Sequence, residues 1–258
     1  MRQPIRGMQK MKSALITGAT GGIGKALTMA LTRRGLNVHA HGRRQDALDA
    51  LVLETGCIPH CLDLADSKEI QAFGKNIEVD ILVNCAGIGA PPGPLQGADA
   101  DSLDAVIDVN FRAPLLLIAA IAPGMISRGR GHIFNIGSVA GLYPIPDSAA
   151  YAASKSAIHA LSALLRLDLH TSPIRVTEIC PGRVETNFFA TMTGDADMAQ
   201  KTYFDNFESL QPNDICDAFL FALDAPAHVN ISMIEISPQA QVFGGIDFTP
   251  GRKNSEDP

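Results

Sequence analysis

The chain has 258 residues, 46% of them hydrophobic and 19% charged, with a net charge of −6 at neutral pH. That length suffices for one substantial core, and the makeup is that of an ordinary globular enzyme. The acidic balance gives no footprint for nucleic acid or an anionic membrane, and we read no apolar run as reaching the ~20 residues of a membrane span.

Met1 to Lys12 is basic, and a strand rather than a long apolar segment follows it. No secretion signal is expected there, and 1–12 is taken as a flexible extension. Ser13 to Thr17 is a short apolar run that stops at glycines and predicts a buried strand. Ile23, Leu27, Ala30 and Leu31 recur at helical spacing and predict a helix over 22–34, ended at Gly35. A strand at 36–41, a helix at 45–54 closed by Gly56 and a strand at 57–62 follow. Ser67 is placed as the cap of a helix reaching about Gly74, with Glu69 in its first turn.

Val79 to Val83 predicts an aliphatic strand, 101–127 one or two long helices, 132–136 a strand, 149–170 a helix and 174–179 a strand. Residues 182–211 are expected to be loop-rich, 212–223 helical and 231–236 a last strand. The strands alternate with helices and read as continuous apolar runs rather than alternating ones. That pattern predicts a parallel sheet covered on both faces: a doubly wound, Rossmann-like α/β fold in a single domain over 13–250, with a flexible tail at 251–258.

Five cysteines, odd in number and without a CxxC pair, suit a reducing cytoplasm. His39 and His41 share a strand face, but no third ligand is near them in sequence and no metal site is expected.

Thr17-Gly-Ala-Thr-Gly-Gly-Ile-Gly24 joins the first strand to the first helix. Glycines permit the sharp turn and close backbone approach to a pyrophosphate, and the helix N-terminus offers free N–H groups and a positive dipole end. Gly18, Thr20, Gly22, Ile23 and Gly24 are therefore candidate contacts of a dinucleotide. At the end of the second strand an NAD site carries Asp or Glu for the ribose 2′-hydroxyl. Here Arg43 and Arg44 stand instead. A guanidinium pairs with a 2′-phosphate, one such contact near 4 Å contributing about 4 kcal/mol before desolvation, so NADP(H) is the expected cofactor. The other reading is that both arginines decorate a solvated helix start. Asp63 is placed to accept from the adenine amino group, or only to cap its turn. Asn84, Ala86 and Gly87 end the fourth strand, where small residues let a cofactor cross the sheet's carboxyl edge.

Tyr151 and Lys155 sit at i, i+4 near a helix start, which puts phenol and ammonium on one face. A nearby cation lowers the phenol's ordinary pKa of about 10 and suits it to give a proton to a carbonyl oxygen, or to take one in reverse. Alone the pair is weak, because such spacing is common. Ser138, 13 residues earlier, can polarise the same oxygen. Asn110, in an apolar helix, needs polar partners and is placed either to hold a water toward Lys155 or as a satisfied structural amide.

These motifs, taken in order, resemble the short-chain dehydrogenase/reductase family in its branch of about 250 residues, from Ser13 to about Phe243. The resemblance implies a catalytic tetrad of Asn110, Ser138, Tyr151 and Lys155, with Asn110, Tyr151 and Lys155 also meeting the cofactor. It implies that Pro181, Gly182, Val184 and Thr186 hold the nicotinamide carboxamide, and that the protein is a homotetramer or homodimer. Two departures stand out. Cys85 replaces the family's second Asn, and Gly21 stands where many NADP-using members carry a basic residue.

Substrate choice is expected in two loops. One, 139–148, carries Leu142 and Tyr143. The other, 183–211, holds Phe188, Phe189, Tyr203, Phe204 and Phe207, five of 14 aromatics. That density predicts an apolar lid or a helix pair on the core. Ser138, Tyr143, Tyr151, Arg183 and Phe188 are the substrate candidates, and Arg183 and Lys201 are set either to meet an acidic substrate or to lie on the surface. The expected reaction is broad aldehyde and ketone reduction. The tail 231–246, with Pro238, Gly244 and Gly245, is similar to that of the family's serine and 3-hydroxy acid dehydrogenases and makes small hydroxy acids the alternative. A non-catalytic NADP(H) sensor is the remote one.

Overall fold

The structure, a computed structural model, describes residues 11–205 and 207–242. Of the extension expected over 1–12, residues 1–10 lie outside the described residues, as do the last residues of the domain and the tail at 251–258, but Met11 packs on the core and Lys12 N–H donates to Asp80 at 2.8 Å, so these two are held to the fold. Seven strands form one parallel sheet: β1 (Ser13–Ile16), β2 (Asn37–Gly42), β3 (Ile58–Cys61), β4 (Ile81–Asn84), β5 (Gly131–Ile136), β6 (Ile174–Pro181) and β7 (Met233–Ile236). Their order across the sheet is β3-β2-β1-β4-β5-β6-β7, so the direction of winding reverses between β1 and β4. Because every pair is parallel, all carboxyl ends share one edge, and the crevice at that reversal is where ligands bind in such sheets.

The helices are α1 (Gly22–Arg33), α2 (Gln45–Thr55), α3 (Ser67–Asn76), α4 (Ala100–Ile107), α5 (Ala113–Arg128), α6 (Ala149–Asp168), α7 (Phe188–Thr193), α8 (Ala196–Tyr203) and α9 (Pro212–Leu223). Alternation along each strand splits the core in two. Ala14 and Ile16 point to the side of α1 and α9 with Leu27, Ile215 and Phe219, while Leu15 and Leu82 point to the side of α5 and α6 with Leu117, Ile121 and Leu165. Gly56 closes α2 with φ 71°, as its position in the sequence predicts.

Three expectations change. Asp66, not Ser67, caps α3, accepting from the N–H groups of Lys68 and Glu69. Residues 182–211 are loop-rich as expected, with two short helices, α7 and α8, in the middle. The third strand is no apolar run: β3 is an edge strand and mostly exposed. Finally, α4 and α5 are joined by a π-turn over Asp108–Arg112 into one continuous helix, Ala100–Arg128. Its most apolar stretch has a mean hydropathy of 1.8, so by length and composition it can cross a membrane, against the sequence reading. Half of that stretch is buried inside the fold, as in a core helix.

Candidate active site

The carboxyl end of β1 is tied to its neighbours before any side chain of the site is placed. The Thr17 hydroxyl accepts from the N–H groups of Cys85 and Ala86, both at 3.0 Å. Gly18 N–H donates to Nδ1 of His41 at 3.3 Å, and Nε2 of the same ring lies 3.0 Å from the Leu62 carbonyl. The ring therefore carries its proton on Nε2, and burial pulls its pKa down, keeping it neutral. Ala19 N–H donates to the His41 carbonyl at 2.8 Å.

The turn is packed so closely that Gly18 and Gly24 are obligatory. Gly18 has φ +66°, and a Cβ on Gly24 would lie 2.2 Å from the Gly18 carbonyl oxygen. Gly22 abuts Thr186, where a Cβ would be 2.6 Å from Cγ2, so the glycine turn and the 181–186 strip are neighbours. Gly21, the N-cap of α1, contributes no side-chain cap, and the first turn has no acidic residue. Its N–H groups and dipole end suit a pyrophosphate. Thr20 lies under Gly42 at the end of β2, and Ile23 packs partly against the α1-side core.

Arg43 and Arg44 are both exposed just past β2. Arg44 lies 3.8 Å from Asp46 in an exposed pair of little energetic weight. Arg43 makes no ion pair among the described residues. Asp63 is exposed and accepts from Ala65 N–H at 3.0 Å, so one of its oxygens caps its own turn while the other is free of that task. Asn84 is buried, its amide donating to Asn135 at 2.8 Å, which leaves the backbone of 84–87 to meet a ligand. Burial pushes the Cys85 thiol up to about 12, so it is a neutral packing residue.

Asn110 sits in the π-turn, where the i→i+4 ladder is broken. Its side chain accepts from Ile88 N–H and donates to the Ile88 carbonyl, both at 2.8 Å, and donates to Ser154 Oγ at 3.1 Å. Its own amide is thus fully engaged. The space beside Gly87 shows how near the tetrad members are: a Cβ there would lie 3.5 Å from both Asn110 Oδ1 and Lys155 Nζ. Lys155 is buried, donates to the Ile136 carbonyl at 2.8 Å, and has its Nζ 5.8 Å from the Tyr151 ring centre. Burial draws Lys155 down to about 8.

The Tyr151 phenol is pushed up by burial and pulled back by a hydrogen bond to Ser138. That hydroxyl adds a stabilising contact to the phenolate, beside the Lys155 ammonium 5.8 Å from the ring centre. Ser138 is buried and accepts from Ala140 N–H at 3.1 Å, which holds its side chain beside the helix start that carries Tyr151.

The 183–211 segment is a helix pair that also reaches the site. Phe188 of α7 lies 5.3 Å from Tyr151, ring to ring, while Phe204 and Phe207 are buried below. Arg183 is neither a surface charge nor an exposed ligand. Its guanidinium stands over Phe189, Tyr203 and Phe207 at 5.2–5.5 Å and donates to the Tyr203 carbonyl. Burial draws it down to about 10. Lys201 is exposed. Tyr143 donates to Glu235 at 3.1 Å, which anchors the 139–148 loop to β7. Pro181 ends β6, Gly182 N–H donates to the Ile236 carbonyl at 2.7 Å, and Val184 is buried in a bridge to Leu210. Sequence reasoning missed Thr17, His41 and Ser154. Thr17 and Ser154 lie inside motifs already singled out, but the His41 contact joins residues 23 positions apart.

Comparison with known proteins follows this geometry. The short chain dehydrogenase family model matches residues 12–197. The short-chain type dehydrogenase/reductase y4eK of Sinorhizobium fredii is 42% identical over 242 residues, 94% of this chain and 97% of that one. The NADP-dependent 3-hydroxy acid dehydrogenase YdfG of Escherichia coli is 36% identical, covering 90% of this chain and 97% of YdfG. Among solved structures, the closed form of serine dehydrogenase complexed with NADP+ superposes with a TM-score of 0.86 at 35% identity, over 93% of this chain and all of that one.

Proposed function

The chain belongs to the short-chain dehydrogenase/reductase family, and from that premise we propose that it is an NADP(H)-dependent oxidoreductase acting on a small 3-hydroxy acid or related polar alcohol and the matching carbonyl compound. The observation that carries this reading is the convergence of Tyr151, Ser138 and Lys155 at the carboxyl edge, beside the glycine turn. When bound, the nicotinamide would supply the hydride that reaches the carbonyl carbon, or accept the one that leaves the carbinol carbon. Tyr151 gives its phenolic proton to the carbonyl oxygen, and Ser138 donates a hydrogen bond to the same oxygen. Lys155 sets a positive charge beside the phenolate that remains, and Asn110 holds the 88–110–154 contacts behind it. Pro181, Gly182, Val184 and Thr186 line the nicotinamide end, and Gly18 to Gly24 the pyrophosphate.

The relatives named for hydroxy acids favour the narrower substrate class over the broad carbonyl reductase expected first. The test is NADPH and NADH oxidation across simple aldehydes, ketones and 3-oxo acids, with the reverse assay on serine and 3-hydroxy acids. NADPH binding without turnover on any of them supports the sensor reading instead.

Arg43 supports NADP(H), because it is exposed where a ribose phosphate would end and no carboxylate takes its place. NADPH should exceed NADH in kcat/KM, and Arg43→Ala should narrow that ratio by roughly tenfold. A wild-type preference for NADH contradicts the assignment.

Lys155 is charged below about 8 and loses its charge as pH rises through that value. Because kcat/KM reports the free enzyme, carbonyl reduction should fall on the alkaline side with a midpoint near 8. A profile flat to pH 10 removes Lys155 from that role.

The same reading includes a homodimer or homotetramer in a reducing cytoplasm. Exposed Leu164 and Leu167 on α6, with Ile107 and Ile126 on the long helix, support an assembly face, and five free cysteines support the compartment.

A further inference from the structure

A buried carboxylate lies behind the reaction centre and takes no part in the steps above. Glu178 of β6 is 1% exposed. Its Oε2 accepts from Nδ1 of His159 on α6 at 2.8 Å, and that ring is 40% exposed. Its Oε1 is buried with no nitrogen or hydroxyl donor among the described residues and faces the Cys180 thiol. A buried carboxylate oxygen without such a donor is a costly arrangement.

The location gives it a use. A Cβ on Gly137 would fall 2.5 Å from Glu178 Oε1 and 3.1 Å from Cys180 Sγ, so these two side chains fill the space over the residue that precedes Ser138. Cys180 also meets the Ser138 N–H. Three groups favour the charged form of Lys155: Cys85, Cys180 and Glu178. Burial raises both thiols, which leaves Glu178 as the carboxylate among the three. The other ionisable groups around it are His159 and Lys155 of α6, Cys180 beside it on β6, and Glu235 of β7 with Tyr143 bonded to it; Arg166 of α6 donates to the Ser232 carbonyl.

We propose that Glu178, anchored by His159, is a positioning residue that seats the Gly137–Ser138 turn and sets a buried negative charge one turn of α6 from Lys155. This rests on the oxidoreductase reading above. Glu178→Gln keeps the shape and removes the charge, which disfavours both the ammonium and the neutral phenol. Both effects move the alkaline limb of carbonyl reduction the same way, to lower pH.

The test measures NADPH affinity by fluorescence, then kcat and the pH profile of kcat/KM, for the wild type, Glu178→Gln, Glu178→Asp and His159→Leu. Glu178→Gln should bind NADPH within about twofold of wild type, lose roughly tenfold in kcat, and shift the alkaline limb down by roughly one unit. Glu178→Asp, which keeps the charge, should leave the limb in place. If Glu178→Gln does not fold, His159→Leu reads the same contact from a half-exposed position, with an expected loss in kcat of about threefold at unchanged NADPH affinity. Wild-type kcat and limb in Glu178→Gln overturn the proposal, as does an equal limb shift in Gln and Asp. So does unchanged kcat in His159→Leu. A wild type that binds NADPH and turns over no carbonyl or alcohol fails the underlying reading instead, and this proposal with it.

Discussion

Tyr151→Phe should lose at least about 100-fold in turnover while binding NADPH as the wild type does, the scale of a lost general acid. The change deletes one oxygen and leaves the ring, so the packing on Phe188 at 5.3 Å persists. Lys155 keeps its bond to the Ile136 carbonyl and Asn110 its three contacts, since neither depends on the phenol oxygen. The fold and the cofactor crevice are therefore intact, and only the proton path is cut. Steady-state kcat with a fluorescence titration of NADPH separates the two effects. Turnover near that of the wild type removes Tyr151 from proton transfer.

Gly24→Ala should weaken NADPH binding by about 50-fold or more and cost roughly 1–3 kcal/mol of stability. Its Cβ would stand 2.2 Å from the Gly18 carbonyl oxygen and 2.9 Å from Ala19 Cα. Those are backbone atoms, and they have little room to retreat. Gly18 N–H is held by His41 Nδ1 and Ala19 N–H by the His41 carbonyl. The turn must rebuild, and with it the N–H groups at the start of α1. Gly21→Ala is the control, because its Cβ would meet only the Gly18 oxygen, at 3.3 Å. NADPH titration with urea unfolding of both variants is the measurement. Wild-type affinity in Gly24→Ala means that this turn does not hold the cofactor.

Much of this molecule was readable in its residues because the signals were local. The run Ser13 to Thr17, the glycines that follow and the apolar spacing of Ile23, Leu27 and Leu31 belong to one strand–turn–helix unit. Tyr151 and Lys155 lie on one helix, so their shared face follows from the 3.6-residue period. Element boundaries were less legible at caps: Ser67 and Asp66 are both good cap residues, and only the carboxylate bonds in the structure choose between them. The π-turn at Asn110 left no mark in the sequence, since it is set by the fit of the long helix over the sheet and α6.

Charges were the hardest to read. Arg183 looked like a surface or substrate cation, yet three rings from α7, α8 and the segment after α8 enclose it, and those rings come from positions up to 24 residues away. The phenol of Tyr151 seemed to need only a cation one turn on, but burial opposes its ionisation and Ser138 is the group that offsets it. Periodicity, glycine spacing and the order of motifs were enough for the doubly wound sheet and for naming side chains that the fold gathers at its carboxyl edge, because each is encoded within one or two adjacent elements. The protonation state of those side chains, and the carboxylate of Glu178 behind them, came only from the folded chain, because desolvation and charge proximity depend on which distant elements pack together.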